Sequence, residues 1–253
     1  MANWVIKLGG AVLNNIEAAK ALIDVLHQKP DDKFILVHGG GSLVDSWLSD
    51  AGFVTSKHLG LRISPREQMP YIVGALAGCA NKQLMGAAIS NGFKPVGLSL
   101  YEAGLLSEQK LKALGQVGTC IENDASILKS LLDAGCFPIV SSIGFDLEGN
   151  WYNVNADEAA ASIAQLLDAE LIFMTDVEAV LDNKLNPLHQ LSSDEISKLI
   201  EEGVIKGGMQ VKVNTSLQAA QHLRRGVYIS SWQKPENLIA LLNGEHVGTK
   251  ITP

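Results

Sequence analysis

The chain has 253 residues, 47% of them hydrophobic and 19% charged, with a formal net charge of −7. That composition suits a compact chain of one large domain or two lobes and excludes a disordered one. The acidic balance speaks against a nucleic-acid binder, which needs a basic field, but not against a small anionic ligand met by a few local cations.

In chain order, Val5–Leu8 is a short apolar run that reads as a buried strand. It contains Lys7 and ends at Gly9-Gly10. A buried ammonium is costly unless an anion meets it. Paired glycines let a backbone approach a ligand with its N–H groups unobstructed. Together they read as a grip on phosphate, although an edge-strand lysine snorkelling to solvent fits the same residues.

Asn15–Gln28 is amphipathic, with Ala18, Ala19, Leu22, Ile23, Val25 and Leu26 on one side. Phe34–Val37 is a second buried strand; it ends in His38-Gly39-Gly40-Gly41 and leads into a helix over Ser42–Asp50. Glycines at such a junction leave free N–H groups at a helix N-terminus, suited to phosphate or carboxylate. Val44 stands where GxGxxG would need its last glycine, and no GxxxxGK[ST] loop occurs, which disfavours a nicotinamide oxidoreductase.

Arg62, between Leu61 and Ile63, suits either a bidentate hold on a small acid or a structural salt bridge. Ser64-Pro65-Arg66-Glu67 predicts a helix with a serine cap, running through Gly74-Ala75-Leu76-Ala77-Gly78 to about Ser90. Pro95–Leu98, Phe137–Ser141 and Glu170–Met174 are further buried strands, and helices are expected around Ala125–Ala134 and Asn155–Leu167. Leu100 to Ile121, with Gly104, Gly115 and Gly118, suggests a hairpin excursion or lid. Glu148-Gly149-Asn150 marks a turn between two short strands.

Asn153-Val154-Asn155-Ala156-Asp157 joins a strand to a helix. Asn155 suits a helix cap, with Asp157 favoured by the dipole. Equally, Asn153 suits a ligand and Asp157 suits orienting a lysine. Lys212 falls near the start of a helix reaching about Leu223. A cation there opposes the dipole unless an anion is near, while a solvated lysine satisfies the same position.

Cys79, Cys120 and Cys136 form no CxxC and are an odd number, as reduced, buried thiols of a cytoplasmic protein would be. No signal pattern opens the chain and no apolar run reaches about 18 residues, so no membrane span is expected. His38 is expected to be structural. Alternating β and α elements predict an α/β fold with a mostly parallel sheet covered on both faces. A lobe boundary is expected after Met174.

The ordered set Ile6-Lys7-Leu8-Gly9-Gly10, Val37-His38-Gly39-Gly40-Gly41, Gly60-Leu61-Arg62, Gly74–Gly78 with Asn81-Lys82, Asn153–Asp157, Gly208-Met209 and Val211-Lys212 resembles the amino acid kinase family, specifically the N-acetylglutamate kinases, over nearly the full chain. The resemblance implies a three-layer αβα sandwich around a mainly parallel central sheet. It implies a lobe of residues 1–174 for acetylamino-acid binding and dimerisation, and a lobe of residues 175–253 for ATP. The implied reaction is ATP-dependent phosphorylation of the side-chain carboxylate of N-acetyl-L-glutamate, in arginine biosynthesis.

By the same resemblance Lys7 and Lys212 stabilise the transferring phosphoryl group and Asp157 organises them. Gly40, Gly41, Arg62 and Asn153 contact the acetylated amino acid. Gly9, Gly10, the run Asp176, Val177, Glu178, Ala179, Val180 and Leu181, and Val204, Ile205 and Lys206 serve the nucleotide. Mg²⁺ is expected to arrive with ATP, with no protein metal cage. The partners implied are N-acetyl-L-glutamate and a second copy of the chain, with no nucleic acid and no membrane. Three residues precede the opening run Trp4–Gly10, which the resemblance reads as the arginine-insensitive, homodimeric type of this family. Leu59 departs from the polar residue common before Gly60, and Tyr101-Glu102-Ala103 departs from the family's lid. A kinase for N-acetyl-L-2-aminoadipate, one methylene longer, and a non-catalytic metabolite sensor on the same fold are the competing readings.

Overall fold

The computed structural model describes residues 2–58 and 60–253, so the departure at Leu59 lies outside the described residues. The strands and helices follow in chain order. Strand β1 (Asn3–Leu8) is followed by α1 (Gly10–Leu13), α2 (Ile16–Asp24), β2 (Lys33–His38) and α3 (Gly41–Asp50). A two-residue pair, β3 (Lys57–His58) and β4 (Leu61–Arg62), precedes α4 (Met69–Val73), α5 (Asn81–Ser90) and β5 (Pro95–Leu98). Next are β6 (Leu105–Gln109), β7 (Val117–Glu122), α6 (Ser126–Asp133), β8 (Phe137–Ser141), β9 (Ile143–Phe145), β10 (Trp151–Val154) and α7 (Ala156–Leu166). The remainder is β11 (Glu170–Thr175), β12 (Val180–Leu181), β13 (Pro187–Leu188), β14 (Gln190–Leu191), α8 (Ser193–Glu201), α9 (Gly207–Leu223), β15 (Val227–Ser231), α10 (Pro235–Leu242) and β16 (Thr249–Ile251).

Eight strands form one sheet in the order β14-β16-β15-β11-β1-β2-β8-β5. Among the described residues its one antiparallel pairing is β15 with β16. Side chains alternate across the sheet. Along β1, Val5 enters a core with Ala160 and Ile163 of α7 and Val213 and Ala220 of α9. Trp4, Ile6 and Leu8 enter the opposite core with Leu22 of α2, Leu84 of α5 and Leu238 of α10. This is the expected α/β three-layer sandwich. Lys7 shares the face of Val5, toward α7.

β1 lies between β11 and β2. The helix leading to β2 covers one face and the helix leading to β11 covers the other. Chain connections diverge there, which opens a crevice at the carboxyl ends of these strands.

The Leu100–Ile121 excursion contains the predicted hairpin, β6 against β7. It is not free-standing: β7 pairs with β10 and β10 with β9 in a second, four-stranded sheet. The predicted turn at Glu148-Gly149-Asn150 does join β9 to β10, held by the Asp146 carboxylate.

Two expectations change, the Ser64 cap and the burial of the cysteines. Ser64 does not cap the following helix, which opens with a 3₁₀ turn over Arg66–Gln68. Its backbone is taken by the 114–116 loop, through Ser64 N–H to the Leu114 carbonyl (2.9 Å) and Gln116 N–H to the Ser64 carbonyl (2.7 Å). The continuous helical run Arg66–Ser90 is, by length and composition alone, long and apolar enough to cross a membrane. Its buried side chains, Ile72, Ala75 and Leu84 among them, fill the protein's own cores. The cysteines are free but half-buried rather than buried, and Cys120 packs against the core on the α7 side.

Candidate active site

Gly9 and Gly10 end β1, and Gly39, Gly40 and Gly41 end β2 beside them. The two turns nearly touch: a Cβ on Gly10 would sit 3.5 Å from the Gly41 nitrogen. Gly40 has φ +155°, and a Cβ there would come within 2.9 Å of Leu76 Cδ2. Leu76 belongs to a π-helical stretch, Gly74–Ala80, that joins α4 to α5. Only glycine fits between it and the turn.

His38 holds this turn from behind. It is fully buried, its Nδ1 bonds the Gly39 carbonyl (2.9 Å), and the Asn81 amide nitrogen donates to its Nε2 (3.1 Å). Burial pushes the imidazole down to about 4, against the Gly39 hydrogen bond, so it is neutral with its proton on Nδ1. The structural role expected for His38 stands.

Two clefts flank the glycine turns. One, of about 240 Å³, is lined by Lys7, Gly9, Gly10, Asp157, Asp176 and Lys212. Lys7 Nζ lies 2.8 Å from Asp157 Oδ1. Asp157 is presented by the first turn of α7, where the Asn155 side chain accepts from Asp157 N–H (2.7 Å) and Glu158 N–H (3.2 Å). Asn155 is therefore the helix cap, and Asp157 also meets a lysine. Lys212 sits five residues after Gly207, beyond the first turn of α9 and not at its start. It pairs with Asp176, whose carboxyl is held below the usual carboxylate range by the Lys212 hydrogen bond. Each lysine thus has its own aspartate. Trp232 borders the same cleft, and its buried Nε1–H has no hydrogen-bond partner among the described residues.

The second cleft, of about 200 Å³, is lined by Gly40, Gly41, Arg62 and Asn153. Arg62 is buried; its Nη1 donates to Asp45 (2.5 Å) and its Nη2 to the Gly41 carbonyl (3.1 Å). The Asp45 carboxyl lies below its usual range, chiefly through this hydrogen bond. Asn153 Nδ2 donates to Ser64 Oγ (3.1 Å), which ties β10 to the loop after Arg62.

The remaining candidates scatter. Glu178 is exposed and pairs with Lys234 (2.8 Å). Ala179, Val180 and Ile205 are buried, and Val177 packs against a core. Leu181 and Lys206 are exposed, and Val204 is half-buried. Sequence reasoning did not find Asp45, Ser64, Trp232, the Asp176–Lys212 pair or the carboxylate of Glu158. Among these only Asp45 left a signal, one helical turn after Gly41 in α3.

Among known proteins, residues 3–231 match the model of the amino acid kinase family. The acetylglutamate kinase of Colwellia psychrerythraea is 48% identical over 250 residues, covering 98% of this chain and 96% of that protein. The acetylglutamate kinase of Moritella profunda is 45% identical over 252 residues, with 98% and 96% covered. A solved structure from Streptococcus mutans UA159 superposes with a TM-score of 0.79 at 24% identity, covering 99% of this chain and 98% of that one.

Proposed function

We propose that this chain, which belongs to the amino acid kinase family, phosphorylates the side-chain carboxylate of N-acetyl-L-glutamate with ATP, a step of arginine biosynthesis. The observation that carries the reading is the convergence of Lys7 and Lys212, each paired with an aspartate, on one cleft beside a second cleft that holds Arg62.

A carboxylate nucleophile is ionised at neutral pH, so the reaction needs no general base. It needs two anions aligned and the charge on the transferring phosphoryl group neutralised. Lys7 and Lys212 supply that charge, and Asp157 and Asp176 hold their ammonium groups in place. The Gly9, Gly10, Gly40 and Gly41 amides line the path between the clefts.

Arg62 has five N–H donors, of which Asp45 and the Gly41 carbonyl take two. The others receive the α-carboxylate. Asn153, anchored on Ser64, meets the acetamido group. On the nucleotide side, Asp176, Glu178, Leu181 and Lys206 offer side chains. Val177, Ala179, Val180, Val204 and Ile205 contribute backbone, since their side chains are wholly or partly packed inward. The unpartnered Trp232 Nε1–H suits an acceptor-rich ligand there.

No group of three or more His, Cys, Asp or Glu among the described residues suits a metal cage. Mg²⁺ would therefore travel on the ATP phosphates, with Asp157 and Asp176 the nearest cleft carboxylates, and would screen phosphate charge when bound. Residues 1–174 form the acetylamino-acid lobe and residues 175–253 the nucleotide lobe of a cytoplasmic homodimer in this reading.

Hydroxylamine trapping of the acyl phosphate tests it, with ATP and N-acetyl-L-glutamate, N-acetyl-L-2-aminoadipate and free L-glutamate run in parallel. Product mainly from N-acetyl-L-glutamate is expected. Product mainly from the longer analogue, or none at all, overturns the substrate.

A further inference from the structure

Glu158, next to Asp157 in the first turn of α7, is turned away from Lys7 and toward the β6–β7 hairpin. One carboxylate oxygen accepts from the Thr119 hydroxyl and from Cys120 N–H (3.0 Å); the other accepts from Lys110 Nζ (2.7 Å). All three donors belong to the hairpin: Thr119 and Cys120 to β7, and Lys110 to the residue after β6. Charge-assisted hydrogen bonds of this kind are about twice as strong as neutral ones. Burial would raise the Glu158 carboxyl, and the three donors outweigh it, so its pKa lies below the usual value and the group stays ionised.

The hairpin is also fixed to β10, where Asn153 pairs with Val117 and Val154 with Gly118. One carboxylate therefore closes a loop of contacts: Asp157 to Glu158 along the helix, Glu158 to β7 by direct hydrogen bonds, and β7 to Asn153 through the sheet. The adjoining cavity, about 580 Å³, is lined by both Asp157 and Glu158.

We propose that Glu158 is a positioning residue for phosphoryl transfer: by gripping Lys110, Thr119 and the Cys120 amide it sets the spacing between Asp157, which holds Lys7, and Asn153, which faces the acetylated substrate. In this proposal it acts through the hairpin rather than by touching substrate or nucleotide. The inference rests on the assignment of those two residues given above.

The test is steady-state kinetics on the purified full chain, at a temperature well below melting, for Glu158→Ala, Glu158→Gln, Lys110→Met and the Glu158→Gln/Lys110→Met double variant, with Arg62→Ala alongside. Misplacing catalytic groups by about 1 Å costs up to about 100-fold. Glu158→Ala is expected to lower kcat at least ~10-fold and to raise KM for N-acetyl-L-glutamate, with KM for ATP within about twofold. Glu158→Gln keeps an oxygen for Thr119 and Cys120 but turns its amide donors on Lys110. It is expected to lose activity that Lys110→Met restores to within about threefold of wild type, a coupling that general destabilisation does not produce. Should Glu158→Ala not fold, the Gln and double variants decide alone.

Wild-type kinetics in Glu158→Ala, or a Glu158→Gln loss that Lys110→Met leaves unrepaired, overturns the proposal. Arg62→Ala separates the two levels. An unchanged KM for N-acetyl-L-glutamate in that variant overturns the substrate-site assignment itself. Wild-type Glu158 variants beside an impaired Arg62→Ala overturn the role of Glu158 alone.

Discussion

Arg62 and Asp45 form an unequal pair: the arginine side chain is 8% exposed, the aspartate 43%, and they meet at 2.5 Å. The buried partner therefore depends on the accessible one. A ligand carboxylate entering from solvent approaches a guanidinium that is already oriented.

Removing Arg62 takes away the proposed α-carboxylate anchor. Arg62→Ala is expected to raise KM for N-acetyl-L-glutamate at least ~10-fold, the scale of a lost charge-assisted hydrogen bond. KM for ATP should stay within about twofold. An effect confined to ATP would show that the two clefts have been assigned the wrong way round.

Asp45→Asn breaks the pair from the other side. The folded-state pKa of Asp45 lies below its unfolded value. Its stabilisation is thus present above the unfolded pKa, about 3.9, and is lost as pH falls through the folded value. Melting temperatures should show wild type above Asp45→Asn at pH 7, with the gap closing below about pH 4. A gap that persists at lower pH refutes the pairing as its source.

Lys7→Ala and Lys212→Ala each remove a cation proposed to face the transferring group. Loss of one such donor lowers kcat about 100-fold or more. The prediction is that both do so while circular dichroism shows a folded chain. Near-wild-type turnover in both would remove the electrostatic mechanism.

His38 titrates from the unfolded value of 6.5 down to about 4 in the folded chain. The unfolded chain takes up more protons between those values, so this group's contribution to stability falls as pH drops from 6.5 toward 4. The loss is on the order of 3 kcal/mol, from 1.36 kcal/mol per pKa unit. Denaturation of His38→Gln across that range should show a shallower slope than wild type. The kcat profile of the wild type should show no histidine step between pH 6 and 7.

A methyl group at Gly40 would press on Leu76. Gly40→Ala is expected to cost about 1–3 kcal/mol by overpacking. Urea denaturation measures it, with Gly52→Ala as a comparison site that has open space but a positive φ.

Strands, glycine turns and the Asn155 cap were legible because their signals are local: apolar runs of four to six residues, consecutive glycines, and a side-chain oxygen two residues before the N–H it accepts. The site's partners were not. Arg62 and Asp45 are 17 residues apart, Lys212 and Asp176 36, and Lys110 and Glu158 48. No helical or strand period links them. Asp157 and Glu158 both looked like acids favoured by a helix dipole, and that local explanation concealed two different long-range tasks. Ser64 shows the reverse case: its capping signature was real, but pairing with the 114–116 loop overrode it. The π stretch after Gly74 left no trace because its apolar spacing still reads as helix.

The site residues before and after Met174 stand on one continuous sheet. Lys7 sits on β1, which is hydrogen-bonded on one flank to β2, carrying Gly40, and on the other to β11, leading to Asp176. The two clefts therefore share one continuous eight-stranded sheet, joined at the seam between its fourth and fifth strands. Lys7, on the strand between them, is thereby tied through backbone hydrogen bonds to both clefts at once.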